Sequence, residues 1–294
     1  MVAKKYKFSH ISLSTSSKDK RVIPIATQVY EILSNADIKV SFDESLVNLE
    51  KNLKVKTKSE NYIVKKSELL ISIGGDGTML NSSRRYGSKG IPILGINLGK
   101  VGFLTDISPN EITTRLLEVL KGDFIDDKRS FLEATIKGKK DTYLALNEIV
   151  IHSGAIAQLI QFDLYINDSF VYRQNADGLI VSSPSGSTAY SLSGGGPIVL
   201  PSVKAITLLP MFPHSLLNTS PLVVNDNSKI RIEMLGRSKA VLSMDSHNSI
   251  KLKEGDIINA SIGKSVLTFI HPPGHDFYEA CRNKLGWSAD HTQN

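Results

Sequence analysis

The chain has 294 residues, 41% of them hydrophobic and 22% charged, which fits one large or two moderate domains with a sizeable core. The formal net charge is +6, but 29 acidic residues are mixed among 35 basic ones. The lysines concentrated towards the N-terminus (Lys4, Lys5, Lys7, Lys18, Lys20, then Lys51, Lys54, Lys56 and Lys58) have no interleaved aromatic residues, so they read as a solvated face that attracts phosphorylated small molecules, not as a nucleic-acid surface.

Residues 7–14 alternate apolar and polar and read as an opening strand. Residues 20–35 place Val22, Ile25, Ala26, Val29, Tyr30 and Leu33 on one helical face. A short strand follows over 37–42, and 43–67 is polar without a clear assignment. Residues 69–73 are a buried strand, 74–78 the turn after it, and 79–86 a helix. Residues 92–97 are a further buried strand, running into a second glycine-rich segment over 98–104. Ile112, Leu116, Leu117 and Leu120 predict a helix over 111–120, ended by Lys121-Gly122-Asp123. This alternation implies a parallel sheet with helices on both faces.

After about residue 128 the texture changes. Short strands are predicted over 129–136, 143–152, 160–166, 169–174, 181–183, 206–209, 222–224, 229–234, 240–244, 250–252, 257–262 and 266–270, with turn signals at Asn167-Asp168 and Glu254-Gly255-Asp256. That pattern indicates an all-β domain, interrupted by one helix over 187–193. The tail over 277–287 reads as a helix. The domain division is therefore 1–128 for the α/β part, 129–270 for the β-rich part, and 271–294 for a tail packing on the first domain. The single cysteine, Cys281, excludes a disulfide framework and a cysteine zinc site, and points to a reducing, cytoplasmic setting. No apolar run reads as a signal peptide or a membrane span, so no membrane partner is expected.

Four clusters carry chemistry. Gly74-Gly75-Asp76-Gly77-Thr78 follows a buried strand and opens a helix, the place where α/β folds hold phosphates on free backbone N–H groups; the alternative is a turn in which Asp76 only caps the helix. Residues 175–191 run from Asn175 and Asp177 through an apolar strand into a hydroxyl-rich turn, suited to ribose hydroxyls, base edges or phosphate, or else to capping by Ser185 or Ser187. Asn147-Glu148 is a polar pair in an apolar run and must be hydrogen-bonded, to a ligand or to neighbouring backbone. Met244-Asp245-Ser246-His247 closes a strand. His10, His152, His214, His271 and His275 show no metal-ligand spacing. The Walker A sequence, the Gly-x-Ser-x-Gly elbow and the Gly-x-Gly-x-x-Gly fingerprint are absent.

Taken in order, several motifs resemble those of the bacterial NAD kinase family. They are Gly-Gly-Asp-Gly-Thr at 74–78, Gly-Phe-Leu-Thr-Asp at 102–106, Asn147-Glu148, Asp177-Gly178-Leu179-Ile180, Ser187-Thr188-Ala189-Tyr190-Ser191, Pro213-His214-Ser215-Leu216, Asp245-Ser246 and Lys284-Leu285-Gly286-Trp287. The resemblance implies a Rossmann-like parallel α/β domain followed by a β-sandwich-like, NAD-binding domain, with a C-terminal helix returning to the first. It implies transfer of the γ-phosphoryl of ATP to the 2′-hydroxyl of the adenosine ribose of NAD, giving NADP, with Mg²⁺ or another divalent cation. The alternatives are a lipid or alcohol kinase of the same superfamily and a non-catalytic NAD(P)-binding regulator.

By the same resemblance Asp76 is the general base, and Gly74, Gly75, Gly77 and Thr78 meet the ATP phosphates. Asn147 and Glu148 hold the adenosine. Thr188, Ala189, Tyr190 and Ser193 line the nucleoside pocket, with Ser191 and Leu192 alongside. Gly77, Gln158, Asn175, Asp177 and His247 complete the NAD contacts, partly across subunits of a homodimer or homotetramer. Asn175 stands where relatives often carry Arg, Gln158 where they can carry His, Ser185 where Thr is common, and His247 where some have Gln. Residues ligating a metal are not assigned.

Overall fold

A computed structural model describes residues 6–49, 53, 55–99, 102–154, 158–214, 220–236 and 239–287. Of the residues singled out above, Lys4, Lys5, Lys51, Lys54, Ser215 and Leu216 lie outside them, as do Lys100 and Val101 of the second glycine-rich segment. The chain divides into two compact units, Met1–Lys128 with Val266–Asn294, and Arg129–Ser265.

The first unit is a parallel sheet, β3-β2-β1-β4-β5, made of β1 (His10–Ser14), β2 (Lys39–Asp43), β3 (Thr57–Lys58), β4 (Leu69–Ile73) and β5 (Ile93–Ile96). The end of β17 (Ile257–His271) joins it parallel to β5, with Phe269 opposite Ile93. Every residue of β1, β4 and β5 is buried, as a sheet covered on both faces requires. The helices are α1 (Val22–Asn35), α2 (Glu60–Lys66), α3 (Asp76–Arg85) and α4 (Ile112–Lys121). α1 turns Val22, Ile25, Ala26, Val29 and Leu33 to the core, the stripe read from sequence.

The structure differs from the sequence reading at two places here. Residues 43–67 form a 3₁₀ turn, Glu44–Leu49, then β3 and α2. Leu46 and Leu49 are the buried residues of the turn and Ile63 that of α2, too few anchors to give a hydrophobic period. α3 begins at Asp76, three residues before the predicted start, because the Gly75 carbonyl already accepts the N–H groups of Thr78 and Met79 (2.9 and 3.1 Å).

The second unit is an antiparallel sandwich. One sheet runs β13-β12-β11-β8-β15-β16, from β8 (Glu148–Ser153), β11 (Gly178–Ser182), β12 (Ala205–Met211), β13 (Leu222–Asn225), β15 (Ala240–Met244) and β16 (His247–Leu252). The other runs β10-β9-β14-β17, from β9 (Ile160–Ile166), β10 (Ser169–Ala176), β14 (Ile230–Leu235) and β17, with β6 (Ile125–Ile136) pairing β17 and β7 (Thr142–Ala145). Alternate side chains of both sheets make one core: Ile149, Ile151, Leu179, Val181, Leu208 and Leu242 against Phe162, Leu164, Ile232, Met234 and Ile258. Each such aliphatic side chain stabilises the fold by roughly 1.5–3 kcal/mol.

Three expectations are corrected in this part of the chain. The strand over 143–152 is two strands, broken at Leu146 and Asn147. The strands over 257–262 and 266–270 are one, β17; its polar middle, Ser261–Ser265, stays extended but lacks the apolar alternation that would have joined them. The helix over 187–193 is a 3₁₀ turn, Ser185–Thr188, followed by the short α5 (Tyr190–Ser193). The tail helix is α6 (Phe277–Leu285), in the first unit, with Cys281 buried.

A buried acid ties β2 to the far end of α3. Asp43 is fully buried; it accepts from Arg85 (3.0 Å), the Tyr86 hydroxyl and the Ser45 N–H (2.9 Å). Burial alone would push its carboxyl up, but these bonds outweigh it and hold the pKa below the usual range. Asp43→Ala leaves Arg85 with Glu60 as its acid (3.0 Å) and takes the acceptor from the buried Tyr86 hydroxyl; the expected cost is that of an unmet buried polar group, about 1–3 kcal/mol, measured as a lower urea midpoint.

Candidate active site

β4 ends in the core, and the chain must turn at once into α3. Gly74 makes that turn at φ 153°, a conformation open to glycine, and a Cβ there would overlap the Thr78 side chain. Asp76 is then the first residue of α3. It is not the cap: Gly75 holds that position, and no side-chain capping bond is made. The Asp76 carboxylate turns instead to the second glycine-rich segment. Oδ2 accepts the Phe103 N–H and Oδ1 the Leu104 N–H, both at 3.0 Å. Gly102 permits the approach, since a Cβ on it would overlap Oδ1. Each carboxylate oxygen keeps a further lone pair, and the residue is half-buried.

The segment that grips Asp76 is itself held. Buried Thr105 accepts the Gly102 N–H (3.0 Å) and the Asn97 side-chain amide (2.7 Å), while Asn97 Oδ1 accepts the Gly99 N–H (3.0 Å). One end of β5 is thus pinned to residues 102–105. The Gly-Phe-Leu-Thr-Asp motif thereby has a task, the grip on Asp76, and Asn97, which lies outside every motif of the sequence, supports it through Thr105. The signal of Asn97 and Thr105 was available, a short polar residue on each side of a glycine pair.

A second carboxylate does similar work in the sandwich. Asp245 and Ser246 turn β15 into β16 with φ of 46° and 55°, positions Asp tolerates better than most residues. The Asp245 carboxylate accepts the N–H groups of Leu146 (2.9 Å), Asn147 (2.8 Å) and Glu148 (3.2 Å). This is why the predicted strand breaks at 146–147. It brings Asn147 and Glu148 together with the turn over 183–190. The Asn147 carbonyl accepts the Ser183 N–H (2.8 Å), a Gly186 Cβ would overlap that carbonyl, and the Tyr190 N–H donates to Glu148. The serines proposed as caps have other partners: Ser185 meets Arg129 (2.9 Å), and Ser187 bridges Pro184 and Val199.

Among the described residues, Asn147 Oδ1, Glu148 Oε2 and Ser191 Oγ are buried polar atoms without a hydrogen-bond partner. Such atoms are costly to leave unmet. Burial, and then the charge of Asp245, push the Glu148 carboxyl up to about 8 against the relief from Tyr190. Beside this cluster, Ile180, Tyr190, Ser193, Gly194, Met211 and Phe212 line a cavity of about 270 Å³.

The remaining sequence-predicted residues lie elsewhere on the same unit. Thr188 and Ala189 end the 3₁₀ turn, and Leu192 is half-buried in α5. Asn175 is exposed on β10 opposite Gln161, its carbonyl accepting the His214 N–H (2.9 Å). Asp177 links β10 to β11; its N–H bonds the Met211 carbonyl (2.9 Å). Gln158 is exposed just ahead of β9, and His247 is exposed at the start of β16.

One cluster went unread. His271 and His275, four apart, fold around Pro272-Pro273-Gly274 so that their rings stack at 3.8 Å. His271 Nδ1 bonds Asp106 Oδ2, His271 Nε2 meets Asp127 Oδ2 (3.2 Å), and His275 Nδ1 meets Asp106 Oδ1 (2.8 Å). Burial raises the Asp106 carboxyl, but the two imidazoles bring it down to about 2; burial lowers His271, but its two acids raise it to about 9. Asp106 and Asp127 are distant in sequence; the histidines themselves stand at a three-residue gap compatible with metal ligands, contrary to the expectation from sequence.

A strand-end glycine turn with one oriented carboxylate in the first unit suits phosphates, and a cluster of unmet polar atoms in the second suits a nucleoside, the two needs of a phosphotransferase that handles nucleotides. The sequence matches the ATP-NAD kinase N-terminal domain over residues 11–124 and the ATP-NAD kinase C-terminal domain over residues 146–272. It is 42% identical to an NAD kinase of Teredinibacter turnerae over 289 residues, 96% of this chain and 95% of the other, and 40% identical to one of Acinetobacter baylyi over 96% and 93%. Yeast NADH kinase complexed with NADH superposes with a TM-score of 0.89 at 27% identity, over 97% of this chain and 90% of the other. An Archaeoglobus fulgidus NAD kinase in complex with ATP gives 0.73 at 26% identity, over 94% and 97%. The chain belongs to the ATP-NAD kinase family.

Glu148 makes stability depend on pH. Its carboxyl is raised on folding from 4.5 to about 8, so the folded state holds a proton that the unfolded state has lost. Its contribution is present in full below the unfolded value and is lost as pH rises through the folded one, at about 1.4 kcal/mol per pH unit between them. Glu148→Gln should abolish that slope. Urea midpoints from pH 5 to 8.5 check this: the variant's advantage should grow with pH.

Proposed function

We propose that the chain is an NAD kinase that moves the γ-phosphoryl of ATP to the 2′-hydroxyl of the adenosine ribose of NAD, giving NADP. The observation that carries the reading is the set of buried, unpartnered atoms on Asn147, Glu148 and Ser191. Adenosine offers the donors and acceptors they lack. On this reading Asn147 and Glu148 hold the adenosine; Thr188, Ala189, Tyr190, Ser191, Leu192 and Ser193 shape the nucleoside pocket. Gln158, Asn175, Asp177 and His247 serve the rest of the dinucleotide. The β-rich part, residues 129–270, is then the NAD-binding domain, and the tail, 271–294, packs on the α/β part, 1–128.

Asp76 is the general base. A ribose hydroxyl is a poor nucleophile, and a positioned carboxylate relieves it of its proton as the phosphoryl group arrives. The Phe103 and Leu104 amides fix the carboxylate plane, so one remaining lone pair faces the hydroxyl without a search of rotamers. Gly75 and Gly77 leave backbone N–H groups at the start of α3 for the ATP phosphates, while Gly74 and Thr78, whose N–H groups bond the Ile96 and Gly75 carbonyls (both 2.9 Å), shape the turn around them. A divalent cation, Mg²⁺ in the first instance, fits this donor set as an ion carried by the phosphates: Asp76 is the single carboxylate of the turn, and both its oxygens already accept amides. Such an ion neutralises the charge of the transferring group.

The protein acts as a homodimer or homotetramer whose sites are shared between subunits; exposed Val203, Phe212 and Val223, on and beside β12 and β13, support a covered face. Its setting is the cytoplasm, supported by one buried, unpaired cysteine; no described helix is long and apolar enough to cross a membrane.

Purified protein with NAD, ATP and Mg²⁺ should form NADP, and no product under these conditions refutes the proposal. Asp76→Asn should lower kcat at least about 100-fold, the usual scale of a general base, with NAD affinity kept in a direct binding assay; turnover like that of the parent removes Asp76 from the mechanism. Gly102→Ala should also lower kcat, because its methyl displaces the carboxylate it leaves otherwise intact.

A further inference from the structure

We propose that Asp106, His271 and His275 form a binding site for a divalent transition-metal ion of the Zn²⁺ or Co²⁺ class, distinct from any ion carried by ATP. One ligand atom from each residue lies within 4.8 Å of the others. The imidazoles stack at 3.8 Å with planes 12° apart, so both Nδ1 atoms face one carboxylate, each on its own oxygen. A tetrahedral ion with bonds near 2.1 Å holds its ligand atoms about 3.4 Å apart.

Two independent features point the same way. Asp127 Oδ2 stands 3.2 Å from His271 Nε2, behind the ring. A proton held there on Nε2 leaves Nδ1 as the ligand atom once an ion replaces the Nδ1 proton now shared with Asp106, and this carboxylate–imidazole pairing is the usual support behind a metal-bound histidine. Second, a cavity of about 180 Å³ opens on Asp106 and His275 and is lined further by Glu111, Asp276 and Glu279. It gives an ion a path in, an acidic approach, and room for a water as fourth ligand. Two imidazoles and one carboxylate suit Zn²⁺, Co²⁺ or Ni²⁺; Mg²⁺ takes oxygen ligands and has no use for the two rings. An ion here would join the end of β17 and the turn after it to the segment that grips Asp76, and would stabilise the fold by binding it selectively.

The test uses the full chain, stripped with chelator and free of nucleotide, titrated with Co²⁺ at pH 7.5. The expected result is one Co²⁺ per chain, a visible absorption band of tetrahedral strength and a raised Tm, with Zn²⁺ displacing the band and millimolar Mg²⁺ leaving it. Asp127→Asn should weaken binding about 10–100-fold. His275→Ala, a change at a half-buried ring, should remove the band while the metal-free protein unfolds as cooperatively as its parent. No band and no Co²⁺ retained after desalting overturns the proposal, as does undiminished binding by His275→Ala. NADP formation is not read in any arm, so the outcome is independent of the activity proposed above.

Discussion

A carboxylate held by backbone amides is the interaction on which the candidate site residues of each unit rest. Asp76 takes the N–H groups of Phe103 and Leu104, and the consequences spread outward. Gly102 must lack a side chain. Thr105 and Asn97 must hold the segment in register with β5. β4 and β5 must be neighbours, because the two glycine-rich segments meet only if the strands that deliver them pair. A loop-mounted acid would sample several rotamers; this one is bonded at both oxygens before any substrate arrives, which is the preorganisation that phosphoryl transfer asks for.

Asp245 repeats the device with a different result. Its three amide bonds hold Leu146 and Asn147 out of the strand ladder and Glu148 at the very start of β8, and the displaced backbone turns two polar side chains into an apolar wall. The cost appears as an acid with its carboxyl raised to about 8 and as polar atoms without partners. Local instability of this kind collects where a ligand will relieve it. One acid is therefore held in a fixed orientation and another leaves polar atoms unmet, each by collecting N–H groups from a distant part of its own unit.

The parts of this arrangement readable from sequence were those with a local cause. α1 announced itself by a six-residue stripe, β4 by an unbroken apolar run, and Asp76 by being the sole charge among glycines. Short hairpins such as Asn167-Asp168 followed from turn chemistry, and both residues take positive φ. The family, its two-part α/β and sandwich fold and its kinase class followed from ordered motifs. What remained hidden depends on contacts between residues far apart in the chain. The break at Leu146 is caused by Asp245, nearly a hundred positions later. α2 buries only Ile63, so it has no period to detect. The polar centre of β17 disguised one long strand as two. Asp106, Asp127, His271 and His275 are ordinary residues until β17 brings the last pair beside the first.

β17 also sets an order of events during synthesis. The first unit is built from both ends of the chain, with Phe269 completing the row beside Ile93 and Cys281 buried in the returning helix. A ribosome that has made residues 1–128 has supplied β1 to β5 but not the strand that covers β5. That edge stays open until the whole sandwich has emerged. The middle of the protein can therefore finish folding before its beginning does, and the unfinished parallel edge is the surface a nascent chain of this topology has to keep from pairing wrongly.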